Sequence, residues 1–277
     1  SKNEARLWIP AIRISGEIDS FRQRYGAASE RTVVMHMVFD RKNPSSIFSC
    51  LHAARENARA VRGAITSEMW ESLNATWLET RDIDIANLEA RGLTDFCEWV
   101  KSRSHLFRGV TYGTMLHDDA FGFLRLGTFL ERADNTARIL DVKYHVLLPS
   151  PSDVGGAEDY YEWSAILRSV SAFAAYRKIY RETVTAWRVA EILVLRHDMP
   201  RSLHACFDEI STILQALRAT HNSESMRIAG ELHAELHFAR IETIFQDGLH
   251  QFLVNFTRRT NQLGSEIQKN FLAVPCA

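Results

Sequence analysis

The chain has 277 residues, 46% of them hydrophobic and 24% charged, which is enough to bury one large core or two lobes and rules out a composition-driven disordered chain. Its 33 basic and 34 acidic side chains leave a formal net charge of −1, so no broad field would gather nucleic acid or an anionic membrane surface. No apolar run approaches the roughly 18 residues that span a bilayer, and no secretory signal opens the chain. The four cysteines, Cys50, Cys97, Cys206 and Cys276, form no C-x-x-C pair, which favours free thiols in a reducing, cytoplasmic setting.

Only 13 Gly and 6 Pro punctuate the chain. Helical periodicity therefore runs through long stretches, and no segment alternates convincingly as a strand. The fold expected is all-α, a multi-helix bundle of mostly antiparallel helices with a long C-terminal helix. Residues 4–25 read as one amphipathic helix or a pair, with Leu7, Ile9, Ile12, Ile14, Ile18 and Phe21 inward. Residues 29–39 are β-branched and the most strand-like, yet Ser29 before Glu30 and Arg31 marks a helix start. Asn43-Pro44 supplies a cap and a first-turn proline for a helix with Leu51, Ala54, Ala58, Val61 and Ile65 on one side. Helices follow at 67–79, from Thr94, and from Thr114 over about 115–148, ended by Pro149. Residues 149–159 (PSPSDVGGAED) read as a linker between approximate halves of a single domain, 1–148 and 159–277. Beyond it, helices are expected at 160–176, 178–195, 200–219 and 223–272.

The 115–148 helix carries the most information. On a wheel of about 100° per residue, Leu126, Phe129, Leu130, Ala133, Ala137, Leu140, Tyr144 and Leu147 form a broad apolar face. Arg125, Arg132, Thr136 and Lys143 group as the expected solvent face. His117, Leu124, Glu131, Arg138 and His145 recur every seven residues as one slowly drifting row, flanked by Asp134, Asn135 and Asp141. Apolar neighbours on both sides predict a half-buried row whose charges need partners, because an unpaired buried charge costs several kcal/mol. Those partners would sit on a neighbouring helix, where His52, Arg55, Arg59 and Arg62 form a basic stripe beside Glu56, or in a ligand. Glu–Arg cross-links that merely hold helix register explain the same pattern.

His233-Ala-Glu-Leu-His237 places two imidazoles at i and i+4, a spacing that can hold zinc. The order is not H-E-x-x-H and no third ligand is evident, so no metal is expected there. His117-Asp118-Asp119 opens a helix, where acidic residues answer to the helix dipole. No phosphate-binding loop, dinucleotide fingerprint or nucleophile elbow occurs.

The run from Thr114 through His117, Arg125, Glu131-Arg132, Arg138 and Asp141 to His145 resembles the alpha-E family, a helical domain named for its Glu-Arg motif. Supporting segments are Phe39-Asp40-Arg-Lys-Asn43-Pro44, Ala54-Arg55-Glu56-Asn57-Ala-Arg59-Ala-Val-Arg62-Gly63, Ser67-Glu68-Met-Trp70-Glu71 and Leu232-His233-Ala-Glu235-Leu, so nearly the whole chain is covered. Members typically open with another Glu-Arg helix. None stands before Trp8 here, and the chain starts at Ser1, so that helix is expected in a preceding segment or a fused neighbour. The resemblance implies a bacterial, cytoplasmic protein encoded beside, or fused to, a circularly permuted ATP-grasp protein. A transglutaminase-like protein is a further implied partner, and homo-oligomers are open. The implied role is an accessory or substrate-cleft subunit of an amide- or peptide-forming ligase. ATP and magnesium would then bind the partner, and no cofactor would bind this chain directly. Two rivals stand beside it. One is an enzyme of ammonia, acyl or amino transfer using Glu131 with His145 or His117; the other is a purely structural assembly module.

Overall fold

The computed structural model describes residues 2–146, 157–217 and 223–272. Among them every regular element is helical. The chain divides into two compact units, Ser1–Phe121 and Gly122–Ala277. The division falls in the first turn of a helix, not at the Pro/Ser/Gly linker. Linker composition marks where backbone can leave a helix, whereas unit membership follows the apolar face. That face of residues 126–140 joins the second core. The expected linker lies largely outside the described residues.

The first unit opens with a pair, α1 (Lys2–Ser15) and α2 (Ile18–Tyr25), broken at Gly16 with φ 77°. Ile12 and Phe21 are buried with Val33 against Trp8, Ile18 and Tyr25. α3 (Glu30–Val34) starts where Ser29 and Thr32 form a reciprocal capping box, and it continues as one π-helical turn, Met35–Phe39. The local cap outweighs the β-branched composition. α4 (Ile47–Ala60) begins three residues later than Asn43-Pro44 suggested, because Ser46 is the cap, accepting from Ser49 N–H. Asn43 is fully buried and serves a turn instead: its Oδ1 accepts from Ser45 N–H at 2.9 Å and its Nδ2 donates to the His36 carbonyl at 2.9 Å. α5 (Ser67–Thr80), α6 (Ile85–Arg91) and α7 (Leu93–Thr114) complete the unit, with α5 packed on both α4 and α7. Thr114 ends α7 rather than starting the next helix.

α8 (Asp119–Val146) is capped by Asp118, whose Oδ1 accepts from the Ala120 and Phe121 N–H groups at 3.0 and 3.2 Å. α9 (Ala157–Ser169) and α10 (Phe173–Tyr180) replace the single helix expected at 160–176. They part at Ser171, with φ 57°. Arg181, left-handed at φ 52°, ends α10 before α11 (Ala186–Val194). α12 (Leu203–Ala216) is capped by Ser202. The long helix expected over 223–272 is three: α13 (Glu224–Phe238), α14 (Ile241–Asp247) and α15 (Leu249–Ile267), the last extended by a π turn, Gln268–Leu272. Gly248, at φ 101°, makes the second break, since a side chain there would be strained. The first break, at Ala239–Arg240, has extended backbone and neither Gly nor Pro to announce it. The α12–α13 and α13–α15 contacts enclose Phe207, Leu232, Leu236, Leu253 and Phe256.

Candidate functional site

The expected apolar face of α8 is buried: Leu126, Ala133, Ala137 and Leu140 are at most 1% exposed. The expected solvent face is not one. Thr136 is 1% and Lys143 2% exposed. The Lys143 ammonium lies 2.8 Å from Asp159, pairs with Glu162 and sits 5.2 Å from the Trp163 ring centroid. All three partners are on α9, so this flank of α8 is covered by a helix that a wheel drawn from α8 alone does not contain. Arg125 pairs with Glu209 on α12, and Arg132 donates to the Pro200 carbonyl at 3.2 Å; both guanidiniums lie over Phe129.

The polar row itself divides. Arg138 pairs with Asp134 at 2.6 Å, and Asp134 reaches Asn261 of α15 at 3.5 Å. Asp141 meets His250 of α15 at 2.6 Å, and Asn135 is half-buried. Glu131, expected to be shielded, is exposed together with Gly127 and Thr128 one turn before it. Among the described residues no group hydrogen-bonds or ion-pairs with its carboxylate. The side chain of His145 lies outside the described residues.

In the first unit, the basic stripe of α4 finds its partners locally. Arg55 donates to Asn74 at 2.9 Å and to Glu56 at 2.5 Å, and faces Trp70 of α5. Arg59 contacts Glu56 at 3.5 Å, while Arg62 reaches the Ile65 carbonyl at 3.3 Å and the Ser67 hydroxyl. An open groove of about 700 Å³ lies alongside, lined by Arg41, Lys42, Phe48, His52, Trp77 and Arg81 among others. Arg41 lies 4.6 Å from the Phe48 centroid and His52 4.9 Å from that of Trp77. Cations on aromatic walls suit an anionic group with an apolar body. Sequence reading missed Arg41, Lys42 and Arg81, although the Asp40-Arg-Lys-Asn43-Pro44 run was a signal for the first two.

One cluster holds donors that suit a metal. His204 and Asp208 on α12 and His233 on α13 bring three ligand atoms within 4.8 Å of one another. A family model described as a predicted alpha-helical domain with a conserved ER motif matches residues 1–272. The chain belongs to the alpha-E family. No curated protein and no solved structure matches it.

In this alpha-E chain the two residues of the Glu131-Arg132 pair behave differently. The arginine braces the turn before α12, and the glutamate points to solvent. His117 is exposed and stacks on Phe121, ring centroids 3.9 Å apart. Burial pushes the Cys206 thiol up to about 12, so it stays protonated at neutral pH and is a poor nucleophile. Cys50 and Cys97 are exposed and in no disulfide among the described residues, and Cys276 lies outside the described residues.

Proposed function

We propose that this alpha-E chain is a non-catalytic helical subunit of a circularly permuted ATP-grasp ligase that forms amides or peptides. Glu131 docks on the ligase, and the groove of Arg41, Lys42, His52, Trp77 and Arg81 holds an anionic substrate or acceptor. ATP and magnesium belong to the partner. The observation that carries the reading is Glu131, the acidic half of the Glu-Arg pair on α8, exposed and without a hydrogen-bond or ion-pair partner among the described residues. An unpaired surface carboxylate does little for the stability of its own fold, so its value lies in what it meets.

The test is a pull-down and an ATP-dependent amide-forming assay with the ligase encoded beside this chain. Glu131→Arg is expected to weaken capture at least tenfold, about 1.4 kcal/mol, with an unchanged melt. Arg41→Ala is expected to raise the acceptor KM and leave capture intact. Wild-type chain that neither binds the ligase nor alters its turnover would end this reading. A second reading, a structural assembly module, is favoured by the closure of Asp134, Arg138, Asp141 and Lys143 on groups of their own unit. It expects both variants to leave turnover untouched.

A further inference from the structure

His204 and Asp208 stand one turn apart on α12, and His233 and His237 one turn apart on α13. The Asp208 Oδ1 is 2.8 Å from His233 Nε2 and 3.5 Å from His204 Nε2. His237 lies beside them, with ring centroids 5.5 Å from His204 and 6.0 Å from His233. Two helices thus bring two imidazoles and one carboxylate to one place, with a third imidazole next to it.

The proton inventory at His204 shows what is missing. Its Nδ1 lies 2.8 Å from the Leu195 carbonyl. A carbonyl only accepts, so Nδ1 carries the hydrogen and donates it. Nε2 then stands 3.5 Å from the Asp208 carboxylate, a gap that a proton or a metal ion can bridge. An imidazole whose far nitrogen donates to a backbone carbonyl is also the usual outer-shell arrangement of a metal ligand, because it fixes the tautomer and aims the free nitrogen. The carbonyl is held in turn. Leu195 belongs to the turn in which the Ser202 hydroxyl donates to the Arg196 carbonyl at 2.5 Å and Arg132 holds Pro200. The glutamate's neighbour in the Glu-Arg pair therefore supports this turn.

We propose that His204, Asp208 and His233, with His237 as fourth ligand, form a binding site for a divalent first-row transition ion, zinc foremost. Around tetrahedral zinc, with bonds of about 2.0–2.1 Å, neighbouring donors stand about 3.4 Å apart. His204 and Asp208 already have that separation. The His233–Asp208 contact must open by about half an ångström on the same scale, a side-chain rotation rather than a backbone move. Mixed imidazole and carboxylate donors select zinc and its neighbours over magnesium or calcium. His204 is 8% exposed whereas His237 is exposed, so an ion enters from solvent on the His237 side. Binding would lock α12 to α13. This inference does not depend on the ligase reading.

The experiment uses the full chain without a polyhistidine tag, stripped with chelator and titrated with Zn²⁺ by calorimetry and thermal melting. Expected are one equivalent bound at micromolar affinity or better, a raised Tm, and an X-ray absorption spectrum with imidazole scattering. Asp208→Asn and His233→Ala should each lose at least a hundredfold in affinity and abolish the Zn²⁺-induced Tm rise. His237→Ala should weaken binding by about tenfold, and His105→Ala, elsewhere on the surface, should change nothing. Should Asp208→Asn not fold, His233→Ala decides. Binding should release protons and weaken on acidification, as at any imidazole–metal site. Absence of a Zn²⁺-dependent Tm rise, or binding that survives His233→Ala, would overturn the proposal.

Discussion

Two clusters in this protein begin from the same sequence spacing, a histidine followed four residues later by an aspartate, and end differently. In the first unit His36 Nδ1 lies 3.5 Å from Asp40; in the second His204 Nε2 lies 3.5 Å from Asp208. Around His36 the carboxylate is ringed by donors, although the His36 Nδ1 approaches it only at 3.5 Å and makes no hydrogen bond of its own among the described residues. Asn43 Nδ2, held as a donor by the His36 carbonyl, faces Nε2 at 3.3 Å, which leaves the hydrogen on Nδ1 toward Asp40. Asp40 accepts from Tyr25 at 3.2 Å and from Lys42 N–H at 2.9 Å, and pairs with Arg24. Around His204 one ring hydrogen goes to Leu195, and the Asp208 carboxylate meets the His204 and His233 rings alone among the described side chains. A carboxylate ringed by a guanidinium, a phenol and a backbone N–H is cement. One that faces two imidazoles at a half-open edge can take a cation.

The comparison can be broken most sharply at His36, which is fully buried between Phe21 and Tyr25. His36→Ala should cost about 3 kcal/mol, from the cavity and the stranded Asn43 and Asp40, read by urea unfolding. A cost under about 1 kcal/mol would mean this knot is not structural. Acid should act next. Burial, ahead of the Arg24 charge, pulls the His36 imidazole below its usual range. Its unfolded form therefore takes a proton first, and stability falls as pH drops below about 6.5, by up to about 1.4 kcal/mol per pH unit. Asp40 adds to the loss at lower pH. Burial pushes its carboxyl up, but the Lys42 N–H, Arg24, Tyr25 and His36 outweigh that and hold it below the ordinary value. Its contribution is complete above about 3.9 and disappears as pH falls through the depressed value. His36→Phe should flatten the first of these slopes and keep the second.

The second cluster should respond weakly without metal. Asp208→Asn in the stripped chain should cost about 0.5 kcal/mol, as for a partly exposed pair, because its side chain is 40% exposed. With Zn²⁺ the same change should remove the entire metal-dependent stabilisation. The smallest effect is expected at Arg138→Ala, about 0.4 kcal/mol for an i,i+4 pair, measured by the same unfolding assay.

How much of the site could be read in advance varies with where the partner sits. His233 and His237 were visible as a helical pair because both lie on α13. His204 and Asp208 show the same spacing and could have been found, but only contact between α12 and α13 joins the two pairs into one centre. For the row on α8, spacing puts Asp134 and Arg138 one turn apart, where they pair, and says nothing of the His250 that Asp141 meets or of exposure. Glu131 is uncovered where shielding was expected, and Lys143 is enclosed where solvent was expected. The basic stripe Arg55, Arg59 and Arg62, expected to partner the α8 row, has its guanidiniums engaged by Glu56, Asn74, Trp70 and the 65–67 turn.

What the residues themselves determined is local. Scarce glycine and proline, capping groups at Ser29 and Thr66, and the apolar stripe of α8 dictate helices, because those signals act within a turn or two of backbone. The Glu131-Arg132 context likewise placed the chain in its family. What only the tertiary structure decided is which polar groups are closed and which are left open. That depends on hydrogen-bonding partners brought from other elements, such as the α9 carboxylates to Lys143, the Leu195 carbonyl to His204, and His233 of α13 to Asp208. The periodicity of one helix carries no information about the hydrogen-bonding needs of its neighbours.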